Sequence, residues 1–323
     1  MKKSLLLLLL ISLFTWSCKK EEKTHPYTFY YWRTNFELNQ TEKQALEKAS
    51  TPILYIRYFD IDKVNGRFEP IGILSSKQNI QQKIVPVIFI MNRVWENITP
   101  EELDFLAAKT NEFIQRVSKE NAFNTINEIQ IDSDWTAGTK ADYFAFLKKL
   151  KQVSGKDISC TIRLHQVKDK KNTGIPPVSK GYLMCYSTSS PLADTPENSI
   201  LDVTTLKNYL SGIGEYPLKL DIALPIYSWG IVTNHLGKHK LINAVSEENL
   251  KADPKFKKVA EHLYQVEEDH FYEGFYLSKG FQIKVEEISQ KDLDQVKGFL
   301  SKKLNNYNII YYHLDSRFLH YQY

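Results

Sequence analysis

Ile129-Gln130-Ile131-Asp132-Ser133-Asp134-Trp135-Thr136 is the stretch on which the reading of this chain turns. Its first half alternates apolar and polar residues, the period of a strand whose two faces meet different surroundings. With Ile129 and Ile131 on the face packed against helices, Gln130, Asp132, Asp134 and Thr136 share the opposite face. Two carboxylates two residues apart on one face repel each other, so one of them is expected to hold its proton near neutral pH. The competing structural reading is an acidic pair that caps the helix to follow.

Working outward, eight β-like runs rich in Ile, Val, Tyr and Phe occupy residues 27–33, 53–59, 84–90, 128–132, 158–163, 181–186, 220–227 and 308–313. Helical patterns lie between most of them, at residues 41–50, 100–120, 141–153, 204–209 and 290–304. Thr99-Pro100-Glu101-Glu102 reads as an N-cap with proline at the first helical position and acids in the first turn, and Gly155 reads as a helix stop. Strand–helix alternation over this length predicts an α/β fold, a (β/α)8 TIM barrel. A doubly wound open sheet is the rival, but no Gly-rich turn follows the first strand. About residues 230–285 exceed a normal connection and are read as an insertion at the top of the barrel. There, residues 254–267 read as an amphipathic helix, and Phe271-Tyr272-Glu273-Gly274-Phe275-Tyr276 with residues 280–285 as a small hairpin.

The composition agrees with a large packed core. The 323 residues are 42% hydrophobic and 13% aromatic, which excludes disordered, collagen-like and coiled-coil chains. A formal charge of +4, with no basic stripe, gives no reason to expect nucleic acid. Three cysteines exclude a disulfide scaffold and a four-cysteine zinc site. Cys160 and Cys185 fall on neighbouring strands and read as buried thiols. No Gly-x-Ser-x-Gly elbow, phosphate loop or His-Glu-x-x-His occurs, so neither a cofactor nor a metal is expected. His235 and His239 have helical spacing, but Gly237 between them and the want of a third ligand point to a loop.

The N-terminus reads as an address. Met1-Lys2-Lys3 precedes an apolar run of signal-peptide proportions, too short to span a bilayer, that ends at Thr15-Trp16-Ser17-Cys18. This resembles a bacterial lipoprotein signal, with residues 1–17 removed and Cys18 lipidated, although Thr15 stands where such signals usually carry Leu. Lys19-Lys20-Glu21-Glu22-Lys23, within a tether of residues 18–26, is similar to the export signal of surface lipoproteins in Bacteroidetes-type bacteria. The resemblance implies an outer-membrane lipoprotein, periplasmic or exposed at the cell surface, with the barrel in residues 27–323.

Polar and aromatic groups recur at the other strand ends: Arg33, Asp60 and Asp62, Asn92 and Arg93, Arg163 and His165, Tyr186, Tyr227 and Trp229, Tyr312 and Asp315. Rings beside carboxylates and guanidinium groups suit a sugar, whose C–H face stacks on a ring while its hydroxyls hydrogen-bond to charge.

Three of these ends together resemble the family 18 chitinase-like glycoside hydrolases. That family carries Asp-x-Asp-x-Glu on the fourth strand, Met-x-Tyr-Asp on the sixth and Pro-x-Tyr on the seventh. The counterparts here are Asp132-Ser133-Asp134-Trp135-Thr136, Met184-Cys185-Tyr186-Ser187 and Pro225-Ile226-Tyr227. The resemblance implies a TIM barrel, a glycan partner containing N-acetylhexosamine, and a catalytic set of Asp132, Asp134, Tyr186 and Tyr227. The strand-end reading adds expected ligand contacts from Arg33, Asp60, Asn92, Arg93, Gln130, Thr136, Arg163, His165, Trp229, Tyr312 and Asp315. Thr136 replaces the family's proton-donating Glu, and Ser187 replaces the Asp that helps hold the acetamido group. A threonine hydroxyl is no acid near neutral pH. The sequence therefore leaves a hydrolase of altered chemistry, a glycan binder and a structural envelope lipoprotein as readings. The lipid anchor has a direct check: Cys18→Ala should release the protein from the membrane fraction, and unchanged membrane association would exclude lipidation at Cys18.

Overall fold

The computed structural model describes residues 25–193, 195–321 and 323. The leader and Cys18 lie outside the described residues. Eight strands run parallel: β1 (Tyr27–Tyr31), β2 (Ile53–Val64), β3 (Lys83–Ile90), β4 (Glu128–Asp132), β5 (Asp157–Arg163), β6 (Lys180–Met184), β7 (Lys219–Pro225) and β8 (Ile309–Tyr312). Tyr27, Thr28 and Phe29 of β1 pair with β8, while Tyr30 and Tyr31 pair with β2, so the sheet closes on itself. The alternation seen in the sequence therefore resolves as a closed (β/α)8 barrel.

Local chemistry starts and stops the helices. Asn39 opens α1 (Gln40–Lys48) and Thr99 opens α2 (Pro100–Glu120), each through a reciprocal capping box with the glutamate three residues on. Gly155 ends α3 (Lys140–Ser154) in the left-handed region at φ 64°, where glycine carries no Cβ penalty. The short α4 (Leu164–Lys168) and α5 (Val203–Tyr209) follow β5 and β6, and α6 (Gln290–Leu300) precedes β8. Ile129 and Ile131 pack in one buried cluster with Leu103, Leu106, Phe146 and Leu147 of the helices, as strand alternation requires.

Two departures shape the mouth. The register of β2 shifts between Arg57 and Phe59, and beyond that bulge the strand runs on to pair antiparallel with Arg67–Ile71. The segment after β7 forms a five-stranded antiparallel sheet in the order His239–Asn243, Trp229–Thr233, Gln282–Glu286, Leu263–Val266, Phe256–Ala260. It also holds a helical turn, Glu247–Ala252, and a hairpin of His270–Tyr272 with Phe275–Leu277. The helix expected at residues 254–267 is thus a pair of strands. His262 sits at φ 55° and breaks any helix there, and Tyr264 and Val266 point into a separate core with Val232, Ile242 and Ile283.

At the N-terminal end of the barrel, the inward positions are polar. Lys180 Nζ lies 3.1 Å from Asp221 and 3.5 Å from Glu128. Glu128 also accepts from Ser159 and Tyr182, and Tyr182 meets the Tyr55 hydroxyl at 2.7 Å. Removing one partner of a buried ion pair leaves the others uncompensated and costs about 3–5 kcal/mol. Lys180→Met should therefore lower the unfolding free energy by about 3 kcal/mol, softened by the remaining hydrogen bonds and read as a fall in the denaturant midpoint at constant m-value. A change below about 0.5 kcal/mol would show that Lys180 is not the cation holding this end together.

Candidate functional site

Inward positions at the opposite, C-terminal end bring the motif residues of three strands together. Asp132 is buried and accepts a 2.6 Å hydrogen bond from Thr161 on β5. Burial raises its pKa to about 6, with the Arg163 guanidinium opposing that shift and the Asp134 charge adding to it. The expected proton-holding carboxyl is thus Asp132, and desolvation outweighs the like-charge neighbour. Asp134 is instead held by Arg163, with Nε to Oδ1 at 2.5 Å and Nη2 to Oδ2 at 3.1 Å. That fork-to-fork geometry is the strong form of a guanidinium–carboxylate contact. Thr136 lies in the exposed turn leading to α3. Its N–H donates to Thr139 Oγ1 at 3.0 Å, and Thr139 Oγ1 donates to Asn92 at 2.7 Å.

The other strand-end carboxylates are each paired with an arginine. Asp60 is ion-paired with Arg57, Asp62 with Arg93, and Asp315 with Arg317 at 2.7 Å. The Arg93 pairing holds the Asp62 carboxyl below its ordinary value, as the Arg317 hydrogen bond does for Asp315 against the upward push of burial. Arg33 turns to α1 and pairs with the buried Glu42 at 2.8 Å. Gln130 lies deep inside the barrel and accepts from the Tyr30 hydroxyl at 2.8 Å. His165 stands on the exposed side of α4, and burial of its ring lowers its pKa below the ordinary value. Cys160 and Cys185 are free, buried thiols. Among the described residues, no cluster of three or more His, Cys, Asp or Glu could hold a metal ion.

Aromatic rings fill the mouth above the carboxylates. Tyr186 stacks on Tyr312 at 5.4 Å between centroids, Tyr227 meets Tyr312 edge-on at 5.6 Å, and Trp229 lies 5.3 Å from Tyr227. Trp32 completes the chain, 5.3 Å from Tyr312 and 6.0 Å from Tyr30. Trp32 was not among the residues picked from the sequence, though alternation along β1 signals it. Tyr30 and Trp32 share the inward parity, while Arg33 shares the outward parity of Tyr31. Trp32 also borders a cavity of about 610 Å3 with Arg33, Asn35, Asn39 and Arg57. Glu286, the last residue of an inserted strand, is a second group missed from the sequence. Its buried carboxylate accepts from Trp229 Nε1 at 2.8 Å and from Ser199, and so fixes the indole.

A closed parallel barrel with an antiparallel insertion after its seventh strand and a ring-lined mouth defines a known structural class. No family model and no curated protein matches the chain by sequence. Solved structures share its fold. A chitinase from Chromobacterium violaceum ATCC 12472 superposes with TM-score 0.55 at 10% identity, covering 91% of this chain and 96% of that one. The class V chitinase from Nicotiana tobaccum gives 0.51 at 9%, covering 91% and 95%. The Bacillus cereus spore cortex-lytic enzyme SleL gives 0.53 at 14%, covering 90% and 71%. The chain therefore has the chitinase-like barrel fold.

Asp132 makes stability depend on pH. Its folded pKa of about 6 lies above the unfolded value near 3.9, so the folded state holds the proton more tightly. The stability gained is complete below about pH 4 and is lost as pH rises through about 6. Melting curves of wild type and Asp132→Asn should converge in acid, with wild type losing ground steadily up to pH 7. A gap that stays constant with pH would show that Asp132 titrates normally.

Proposed function

We propose that this protein is a lipid-anchored envelope protein whose barrel mouth binds a glycan without hydrolysing it by the family 18 route. Cys18 would carry the lipid and place the barrel at the outer membrane, on its periplasmic or surface face. The observation that carries the proposal is the pairing of the mouth's acids. Asp60, Asp62, Asp134 and Asp315 each sit against an arginine, Asp132 is buried below them, and Thr136 occupies the acid position. The two-carboxyl route to glycoside cleavage needs one carboxyl free to protonate the leaving oxygen and a second about 5–9.5 Å away. The substrate-assisted family 18 route uses the sugar's acetamido group instead of the second, and still needs that free acid where Thr136 stands. Binding needs only rings and hydrogen-bonding groups, and Trp32, Tyr227, Trp229 and Tyr312 supply the rings. Chains of N-acetylhexosamine are the first ligand class to test, since the structures that share the fold include chitinases.

A second reading has one specific observation behind it. A carboxyl with a pKa of about 6 is poised for general acid work near neutrality, and Asp132 is such a group. Its use would require Arg163 and Asp134 to move off the path to it.

The two readings separate in one experiment on the soluble chain beginning at Lys19, screened on a glycan panel for both binding and released reducing ends. Binding without released ends from pH 4 to 8 is expected. Trp32→Ala should weaken it about tenfold, or ~1.4 kcal/mol. Thr136→Glu alone should stay inactive, because Arg163 still holds Asp134. Release of reducing ends by wild type that disappears in Asp132→Asn would establish the hydrolase instead. No binding to any glycan would overturn both.

A further inference from the structure

The hairpin of the insertion displays two large rings that its own packing does not need. Its residues alternate: His270, Tyr272 and Leu277 turn toward the insertion core, where Phe256 meets His270 and Tyr272 at 5.1 Å. Phe271 and Tyr276 face the other way, directly opposite each other across the two strands, 74% and 54% exposed. They touch edge to face at 5.3 Å. The Tyr276 hydroxyl donates to Asp269 at 3.0 Å, and Lys279 N–H donates to the other oxygen of the same carboxylate at 2.7 Å. The pair is therefore held in place before any ligand arrives, which reduces the ordering cost of binding. Adjacent exposed rings of this kind mark interaction surfaces more often than isolated ones do.

We propose that Phe271 and Tyr276 form an outer glycan-binding platform that receives the chain as it leaves the barrel mouth. This rests on the reading of the mouth as a glycan site. Two observations favour a sugar chain over other occupants. The rings stand beside Asp269, whose carboxylate offers acceptors to hydroxyls. Lys240 lies 4.2 Å over Phe275 and Lys255 pairs with Glu268, so the hairpin carries no one-signed field of the kind that draws a protein to a charged membrane surface. The hairpin also continues the mouth. Glu273 at its turn lies close enough to act electrostatically on Arg317, which pairs with Asp315 just past β8. The next residue, Ser316, accepts from Asn39 at the rim of the Trp32 cavity.

The test compares wild type, Trp32→Ala and the double variant Phe271→Ser/Tyr276→Ser on N-acetylglucosamine oligomers of two and eight units, alongside the glycan panel. Vesicles of phosphatidylcholine and phosphatidylglycerol serve as a second probe, and melting temperatures control for folding. The double variant should bind the longest chains at least tenfold more weakly while keeping wild-type affinity for the shortest, whereas Trp32→Ala should weaken both. Equal loss on short and long chains, or no loss on either, would overturn the platform and leave the mouth reading intact. Loss of vesicle binding with unchanged oligosaccharide binding would make the rings a membrane contact. A wild type that binds no glycan at all would overturn the mouth reading and this inference with it.

Discussion

Closing the sheet at β1, where one short strand hydrogen-bonds with both β8 and β2, forces every second side chain of eight strands into a single narrow interior. That interior is not greasy. It begins with Lys180 between two carboxylates, continues through the hydroxyls of Tyr55, Tyr182 and Tyr30, and ends at Asp132, Thr161 and Arg163. Groups of this kind are tolerable inside a protein only when each finds a partner. The barrel supplies most of those partners by placing inward residues of adjacent strands at matching heights, the Gln130 amide nitrogen being left without one. Closure and polar satisfaction are therefore one constraint, and the chemistry at the mouth inherits it.

The same rule sets the charge balance of the mouth. Five guanidinium groups, Arg33, Arg57, Arg93, Arg163 and Arg317, each hold one carboxylate. These acids are neutralised one by one, while Asp132 lies buried beside Thr161. Such pairs near the surface contribute modestly to stability, yet they fix side-chain direction and leave little net field across the opening. The rings of the mouth have their planes set by contacts with each other and, for Trp229, by Glu286.

Much of this was legible in the sequence because it follows from period two and from order along the chain. Alternation placed Asp132 and Asp134 on the inward face, and strand–helix order predicted the barrel. The ends of the strands located Tyr186, Tyr227, Trp229 and Tyr312. Three things were hidden, each for a physical reason. The bulge in β2 restores Asp60 to the side of Arg57, and nothing local in the residues announces a bulge. Trp32 is of opposite parity to its charged neighbour Arg33, so the strand-end charge signals Arg33 while the ring beside it, bordering the same cavity, goes unmarked. Residues 254–267 carry a pattern that fits a helix as well as two short strands, and only the neighbouring strands of the insertion decide between them. Long-range pairing settled what local pattern left open.

The direction of the strands has a consequence for how the molecule stands. All eight run from the Lys180 end toward the mouth, so the chain enters β1 at the end remote from the rings. His25 marks that point of entry, stacked on Tyr307 at 3.7 Å and 3.1 Å from the Ser301 hydroxyl. The chain therefore joins the barrel on the face opposite the rings. The opening and the inserted sheet, which follows the C-terminal end of β7, thus stand at the end of the barrel farthest from where the chain enters it.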